Sequence, residues 1–245
     1  MKEVDSYNLL IRDYVWFNSL IWDDKHPKIV VWSGGADSTL VVAELAILCQ
    51  AAGMPLYTMS VDVDYINPDK LRAEKKSRKR VLNLLKKKGF DVRDSHMDIK
   101  LDLEFYDEED SNCRYSQQFL WEMIALQLAP RNADVFFGFI LTDEIWRVAE
   151  KREQFFKFYN EWHYKNLRFH DPYAYQDKVK IFSKLHRLGF LDYVWTCEDP
   201  NGTKPCGYCT PCKHRRSALF ELAMAGESWA KEILEKENKI QIFFS

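Results

Sequence analysis

Residues 29–48 read Ile29-Val30-Val31-Trp32-Ser33-Gly34-Gly35-Ala36-Asp37-Ser38-Thr39-Leu40-Val41-Val42-Ala43-Glu44-Leu45-Ala46-Ile47-Leu48. A four-residue apolar run enters a Ser-Gly-Gly turn, and an apolar stretch long enough for a buried helix follows. A strand–turn–helix unit places its turn outside the carboxyl end of a strand, where open α/β sheets bind ligands. Gly34 and Gly35 allow positive φ and close backbone approach. Ser33, Ser38 and Thr39 add hydroxyls. The following helix aims free N–H groups and its positive dipole end at the turn. Such a nest suits phosphate or pyrophosphate. Asp37 would repel phosphates unless it holds Mg²⁺ or orients the loop. The string is neither Gly-x-x-x-x-Gly-Lys-Ser/Thr nor Gly-x-Gly-x-x-Gly, which disfavours a γ-phosphate-cutting NTPase and a dinucleotide site. The alternative is a plain connection with glycines for geometry.

Outward from this unit, strand and helix patterns alternate. Residues 56–61 form a second strand, 69–88 a basic helix, and Phe90-Asp91-Val92 begins a third strand. Residues 115–129 form a helix and 133–140 a fourth strand. The alternation predicts an α/β fold: a Rossmann-like parallel sheet with helices on both faces. Three regions follow: an N-terminal helical extension over 1–26, rich in aromatics, a nucleotide-binding domain over 27–175, and a C-terminal helical segment over 176–245. The last contains a helix over 176–190, a cysteine cluster and a final helix from Arg215 to Glu237. The ten basic residues between Lys70 and Lys88 read as a solvated helix face, with Leu71, Val81, Leu84 and Leu85 turned inward. The aromatic span 155–175 reads as packing rather than base stacking.

The 245 residues carry 35 Lys+Arg against 37 Asp+Glu, a net charge of −2, and 47% are hydrophobic. This is a globular composition, and it disfavours nucleic acid as a partner. No apolar run approaches the ~18 residues of a membrane span, and Met1–Asp5 mixes charges unlike a secretory leader. A cytoplasmic location is expected, where thiols stay reduced. The six cysteines are then ligands, nucleophiles or core residues. Cys197-x8-Cys206-x2-Cys209-x2-Cys212 gives four closely spaced sulfurs, with turns at Pro205, Gly207 and Pro211. Four cysteines are the usual structural Zn²⁺ set; an iron–sulfur cluster and unligated core thiols are the competitors. Cys49 reads as a core thiol, and Cys113 beside Arg114 as a weaker candidate for an activated nucleophile.

Ser33–Ser38 resembles the Ser-Gly-Gly-x-Asp-Ser motif of the PP-loop, or N-type, ATP pyrophosphatases. That resemblance implies that ATP is cut between its α- and β-phosphates. A substrate oxygen takes the AMP, and a nitrogen or sulfur nucleophile displaces it. Ser33, Gly34, Gly35, Asp37, Ser38 and Thr39 would then hold the phosphates, with the adenine along Met59, Ser60 and Val61. The stretch Trp195-Thr196-Cys197 through Cys206-Gly207-Tyr208-Cys209-Thr210-Pro211-Cys212-Lys213-His214-Arg215 resembles the C-terminal motif of 7-cyano-7-deazaguanine synthases. In that family Lys178 would lie near the ATP phosphates, and Arg114, in Cys113-Arg114-Tyr115-Ser116, would contact them. The matches cover most of residues 28–220.

Two family features differ. Asp-Tyr-Gly-Gln-Arg-His is reduced to Asp64-Tyr65-Ile66-Asn67, with Asp62 an equally good match for its aspartate. The Tyr-Pro-Asp-Cys-Arg pocket segment is replaced by Phe139-Ile140-Leu141-Thr142-Asp143-Glu144-Ile145-Trp146-Arg147. The resemblance thus implies an ATP- and Mg²⁺-dependent ligase with structural Zn²⁺, joining a 7-deazaguanine carboxylate to ammonia. An amine of a protein partner, in a bacterial antiviral system, is the alternative acceptor. A tRNA thiolase and a non-catalytic nucleotide-binding protein are the further rivals. A second copy of the chain is a further candidate partner.

Overall fold

The computed structural model describes residues 26–63, 67–100 and 113–242. The N-terminal extension over 1–25 and Asp64, Tyr65 and Ile66 lie outside the described residues. Five parallel strands form one sheet in the order β3-β2-β1-β4-β5: β1 Lys28–Val31, β2 Leu56–Val63, β3 Val92–Ile99, β4 Asp134–Phe136 and β5 Arg168–His170. The helices are α1 Ala36–Ala51, α2 Pro68–Lys87, α3 Cys113–Leu128, α4 Ala149–His163, α5 Lys178–Arg187, α6 Thr210–Met224 and α7 Ser228–Ile242.

β1 is central, so both of its faces are buried. Val30 and neighbouring Trp32 face a core shared by α1, α2, α5, α6 and α7, while Ile29 and Val31 face a second core with α3 and α4. This is the expected doubly wound sheet, with helices on both faces. Leu40, Val41, Val42 and Leu45 of α1 are wholly buried, each contributing about 1.5–3 kcal/mol through removal from water. The strand order reverses direction between β1 and β4. Their carboxyl ends therefore open a crevice, and the Ser33–Ser38 loop sits at its edge.

The structure departs from the sequence pattern in four places. β4 ends at Phe136, not at 140, because the chain must pass the start of α1. A Cβ on Gly138 would lie 2.5 Å from the Ser38 nitrogen. The terminal helix is two helices, α6 and α7, parted by a turn at Gly226 with φ +94°. The aromatic span 155–175 contains most of α4 and an added edge strand, β5. The basic helix α2 is not solvated all along its polar positions: Lys70, Glu74, Ser77 and Arg78 are buried. They pack beneath the loop rather than facing water, because Arg78 and Ser77 satisfy loop carbonyls described below.

Candidate active site and cysteine knuckle

The turn after β1 is held from three directions. Gly34 has φ +93°, and a Cβ there would lie 2.8 Å from the Glu74 carbonyl oxygen. Only glycine meets both constraints without strain. From α2, Arg78 Nη1 donates to the Ser33 carbonyl at 2.8 Å, and the Ser77 hydroxyl lies 2.7 Å from both the Gly34 and Tyr193 carbonyls. From the far side, the Trp195 N–H donates to the Gly34 carbonyl at 3.2 Å, and Trp195 bridges Gly35 in parallel. Inside the loop, Ser33 Oγ accepts from the Gly35 N–H at 3.1 Å and lies 3.0 Å from Ser38 Oγ. Thr39 is fully buried, and its hydroxyl accepts from Trp32 Nε1 at 3.0 Å. It braces the loop from beneath rather than lining it.

Asp37 and Lys178 are 141 residues apart in sequence yet form an ion pair in the crevice. Lys178 reaches it from the first turn of α5, whose start is capped by the Asp177 carboxylate accepting from the Lys180 N–H at 2.9 Å. Asp37 Oδ1 is buried without a hydrogen-bond partner. An uncompensated buried carboxylate oxygen beside a phosphate nest fits a divalent cation, and Mg²⁺ is the hard-oxygen ion for that position. Mg²⁺ there would offset phosphate charge. Arg114 lies in the first turn of α3; its side chain lies outside the described atoms.

At the carboxyl ends of β2 and β3, Ser60 Oγ lies 2.9 Å from His96 Nδ1. His96 Nε2 faces Asp98 at 3.0 Å and Asp62 at 3.5 Å. Arg78 Nη2 donates to Asp62 Oδ1 at 2.8 Å, so one guanidinium ties the phosphate loop to the end of β2. Val61 is buried in a small apolar cluster with Val63 and Leu71. Ser60 is thus engaged by His96, and Val61 by the apolar cluster.

The side of the crevice beyond β4 is built around Arg152, a residue the sequence reading did not single out. Its Nε donates to Glu122 Oε1 at 2.5 Å, and its Nη atoms grip Asp171 at 2.6 and 3.1 Å. The guanidinium carbon lies 4.9–5.8 Å from the ring centres of Phe137, Phe139, Trp146 and Phe156. Burial pushes the Glu122 carboxyl up to about 7, against the pull of Arg152. Asp143, also missed, is raised to about 6. Burial is the main cause and Asp37 and Glu198 add to it, while the Ile140 N–H bond and Lys178 oppose. Asp143 lies inside the replacement segment and Arg152 just after it, but no local spacing marked them.

Cys197, Cys206, Cys209 and Cys212 converge, their sulfurs all within 4.8 Å of one another. Backbone N–H groups of Cys206 and Cys209 donate to the sulfurs of Cys197 and Cys206 at 3.2 and 3.3 Å. Burial drives the Cys197 thiol to about 11 and Cys212 higher still. Cys209 is held near 7 by backbone hydrogen bonds from Glu198 and Cys212, despite its burial. Four sulfurs in one knuckle fit a tetrahedral ion such as zinc, which would hold them as thiolates. The knuckle is tied to the phosphate loop: Trp195 donates through Nε1 to the Cys197 carbonyl at 2.7 Å and through its backbone to Gly34. It also touches the start of α2, where Gly202 N–H donates to Asp69 at 2.9 Å.

Among the described residues no helix is long and apolar enough to cross a membrane. Residues 125–223 match the family model described as queuosine biosynthesis protein QueC. A 7-cyano-7-deazaguanine synthase of Erythrobacter litoralis is 36% identical over 61 residues, covering 24% of this chain and 26% of that protein. The matched stretch therefore spans about a quarter of the curated relative's length. Among solved structures, the U34-tRNA thiolase NcsA from Methanococcus maripaludis with its 4Fe–4S cluster aligns at a TM-score of 0.49 and 11% identity, over 97% of this chain and 79% of that one. NMN synthetase from Francisella tularensis aligns at 0.46 and 11% identity, over 88% and 84% of the two chains. Over residues 125–223, which run from the end of α3 through β4, Lys178 and the cysteine knuckle, this chain is similar to the QueC proteins.

Proposed function

We propose that the protein is an ATP-dependent carbon–nitrogen ligase. It adenylates a carboxylate, with 7-carboxy-7-deazaguanine as the substrate of choice, releases pyrophosphate, and passes the acyl group to a nitrogen nucleophile. The observation that carries this reading is the Asp37–Lys178 pair, set across the Ser33–Ser38 nest at the β1/β4 crevice. The nest offers N–H donors and hydroxyls for a leaving pyrophosphate. Lys178 supplies positive charge where negative charge grows on the transferring phosphoryl group. The similarity to QueC proteins and to a 7-cyano-7-deazaguanine synthase supports the choice of carboxylate.

Ammonia as the nucleophile gives the amide, and a second activation would dehydrate it to the nitrile. A second reading replaces ammonia with an amine of a protein partner. It is favoured by the rim of the crevice, where Leu141 and Tyr175 are 55% and 89% exposed on the two segments joined by the Leu141–Gln176 backbone bond. The purified protein, supplied with ATP, Mg²⁺ and 7-carboxy-7-deazaguanine, tests both. Ammonia is added to one reaction and a genetically neighbouring protein to another, and mass spectrometry reads the products. Amide or nitrile in the first supports ammonia. An acyl-sized gain on the protein supports the second reading. No conversion in either would defeat the proposal.

A further inference from the structure

Along the inner side of α2, Lys70, Glu74, Ser77 and Arg78 stand at helical spacing and are all buried. A buried charge is kept only where it is paired and hydrogen-bonded. Arg78 is 4% exposed, and its guanidinium has two partners. Nη1 donates to the Ser33 carbonyl at 2.8 Å, at the entry to the loop. Nη2 donates to Asp62 Oδ1 at 2.8 Å, near the end of β2. Asp62 balances the charge of Arg78, so what reaches the loop is direction more than net charge. The Ser33–Gly34 peptide is trans, and a trans peptide points its N–H opposite to its carbonyl. With the Ser33 carbonyl drawn toward α2, the Gly34 N–H therefore points away from α2. The Gly34 carbonyl is also taken up, 2.7 Å from Ser77 Oγ and accepting from the Trp195 N–H at 3.2 Å. A carbonyl oxygen swung the other way would face a phosphate oxygen and repel it.

We infer that Arg78 is a positioning residue for the phosphates of the nucleotide: it turns the Ser33 carbonyl aside and leaves the Gly34 N–H aimed at a phosphate oxygen. This rests on the reading of Ser33–Ser38 as the phosphate nest and names the group that orders it. The role needs a two-armed side chain, because loop and Asp62 are held at once. Arg78→Lys keeps the charge but offers a single ammonium tip on a flexible stem. The helix that carries Arg78 is itself seated by the segment around the cysteine knuckle. Gly202 N–H donates to Asp69 at 2.9 Å, and Arg80 Nη2 donates to the Asp192 carbonyl at 3.2 Å. One guanidinium thus joins β1, β2 and α2 at the point where the phosphates would lie.

Two readouts separate this role from the reaction. Calorimetric titration with Mg²⁺–pyrophosphate and with Mg²⁺–ATP reads the nest alone. Initial rates of AMP formation from 7-carboxy-7-deazaguanine at varied ATP give KM and kcat. Arg78→Ala is expected to weaken pyrophosphate binding and raise the KM for ATP, each about tenfold, with kcat within about threefold of wild type. A residue that only braced the fold would reduce the active fraction instead, lowering kcat at unchanged KM. Arg78→Lys, the milder change for folding, is expected to lose binding to within about threefold of Arg78→Ala. Wild-type binding by Arg78→Lys would make charge, not orientation, the contribution of Arg78. Wild-type pyrophosphate binding and KM in a folded Arg78→Ala would make it a brace. Either result overturns the inference. Wild-type protein that binds Mg²⁺–ATP but forms no AMP would defeat the adenylating reading alone, because the pyrophosphate titration still reads Arg78.

Discussion

The two sides of the crevice are made differently. The phosphate side is backbone: Gly34 in a left-handed conformation, loop carbonyls gripped by Arg78, Ser77 and Trp195, and hydroxyls spaced for oxygen atoms. The side beyond β4 is side chains: one guanidinium clasped by two carboxylates inside a ring of Phe137, Phe139, Trp146 and Phe156. A site for a triphosphate has fixed chemistry and can be lined by peptide groups. A site for a variable second substrate is shaped by rings and by which carboxylates remain ionised. Under the proposed function, substrate choice would belong to the Arg152 side and the chemistry of activation to the loop.

The sharpest way to break this contrast is Arg152→Met. Buried Glu122 and half-buried Asp171 would lose their partner, and breaking such a network costs about 3–5 kcal/mol. The urea midpoint should fall accordingly, and residual folded protein should still catalyse ATP–pyrophosphate exchange. A loss below about 1 kcal/mol would show that the aromatic ring, not the ion pairs, holds this side together.

Cys209→Ser probes the support of the phosphate side. With the knuckle opened, a loss of about 2–4 kcal/mol is expected, which is about 4–16 °C in melting temperature for a chain of this size. Elemental analysis of the wild-type protein should give about one zinc per chain. Stoichiometric iron with visible absorbance would point instead to the thiolase rival. Gly34→Ala is expected to cost less, about 1–2 kcal/mol for the forced backbone conformation. Because the new Cβ meets the Glu74 carbonyl, nucleotide affinity should fall more than stability.

The two sides were not equally legible in the sequence. The loop is local: glycines, hydroxyls and a carboxylate must stand within seven residues, so Ser33–Thr39 announced itself. The four cysteines did the same, because metal geometry dictates short spacings. The parallel sheet followed from the alternation of apolar runs. Arg152 meets Glu122 and Asp171 at separations of 30 and 19 residues, and no periodicity encodes such a meeting. The early end of β4 depends on Gly138 passing Ser38, a contact that tertiary structure alone creates. Thr39 carries a hydroxyl of the kind a phosphate takes but is fully buried, accepting from Trp32 Nε1, which only the packing of β1 on α1 could decide.

The helix beneath the loop gives a pH-dependent effect. Glu44 of α1 accepts from the Tyr173 hydroxyl and pairs with Lys184 at 3.3 Å. Burial raises its carboxyl to about 8, while Tyr173 and Arg187 pull the other way. A raised carboxyl binds its proton more tightly when folded. Its contribution is therefore full below the unfolded value of 4.5 and is lost as pH rises toward about 8. Stability should decline across that window. Glu44→Gln should flatten the slope, and an unchanged slope in that variant would remove Glu44 as its cause.

The central claim is that the Asp37–Lys178 pair serves cleavage of ATP between its α- and β-phosphates on a carboxylate. Phosphorus NMR of the reaction with ATP, Mg²⁺ and 7-carboxy-7-deazaguanine tests it most directly. The expected result is AMP and pyrophosphate in equal amounts, dependent on the carboxylate, and reduced about 10²–10³-fold in a folded Asp37→Ala variant. ADP and phosphate as products, or AMP formation that Asp37→Ala leaves untouched, would contradict it.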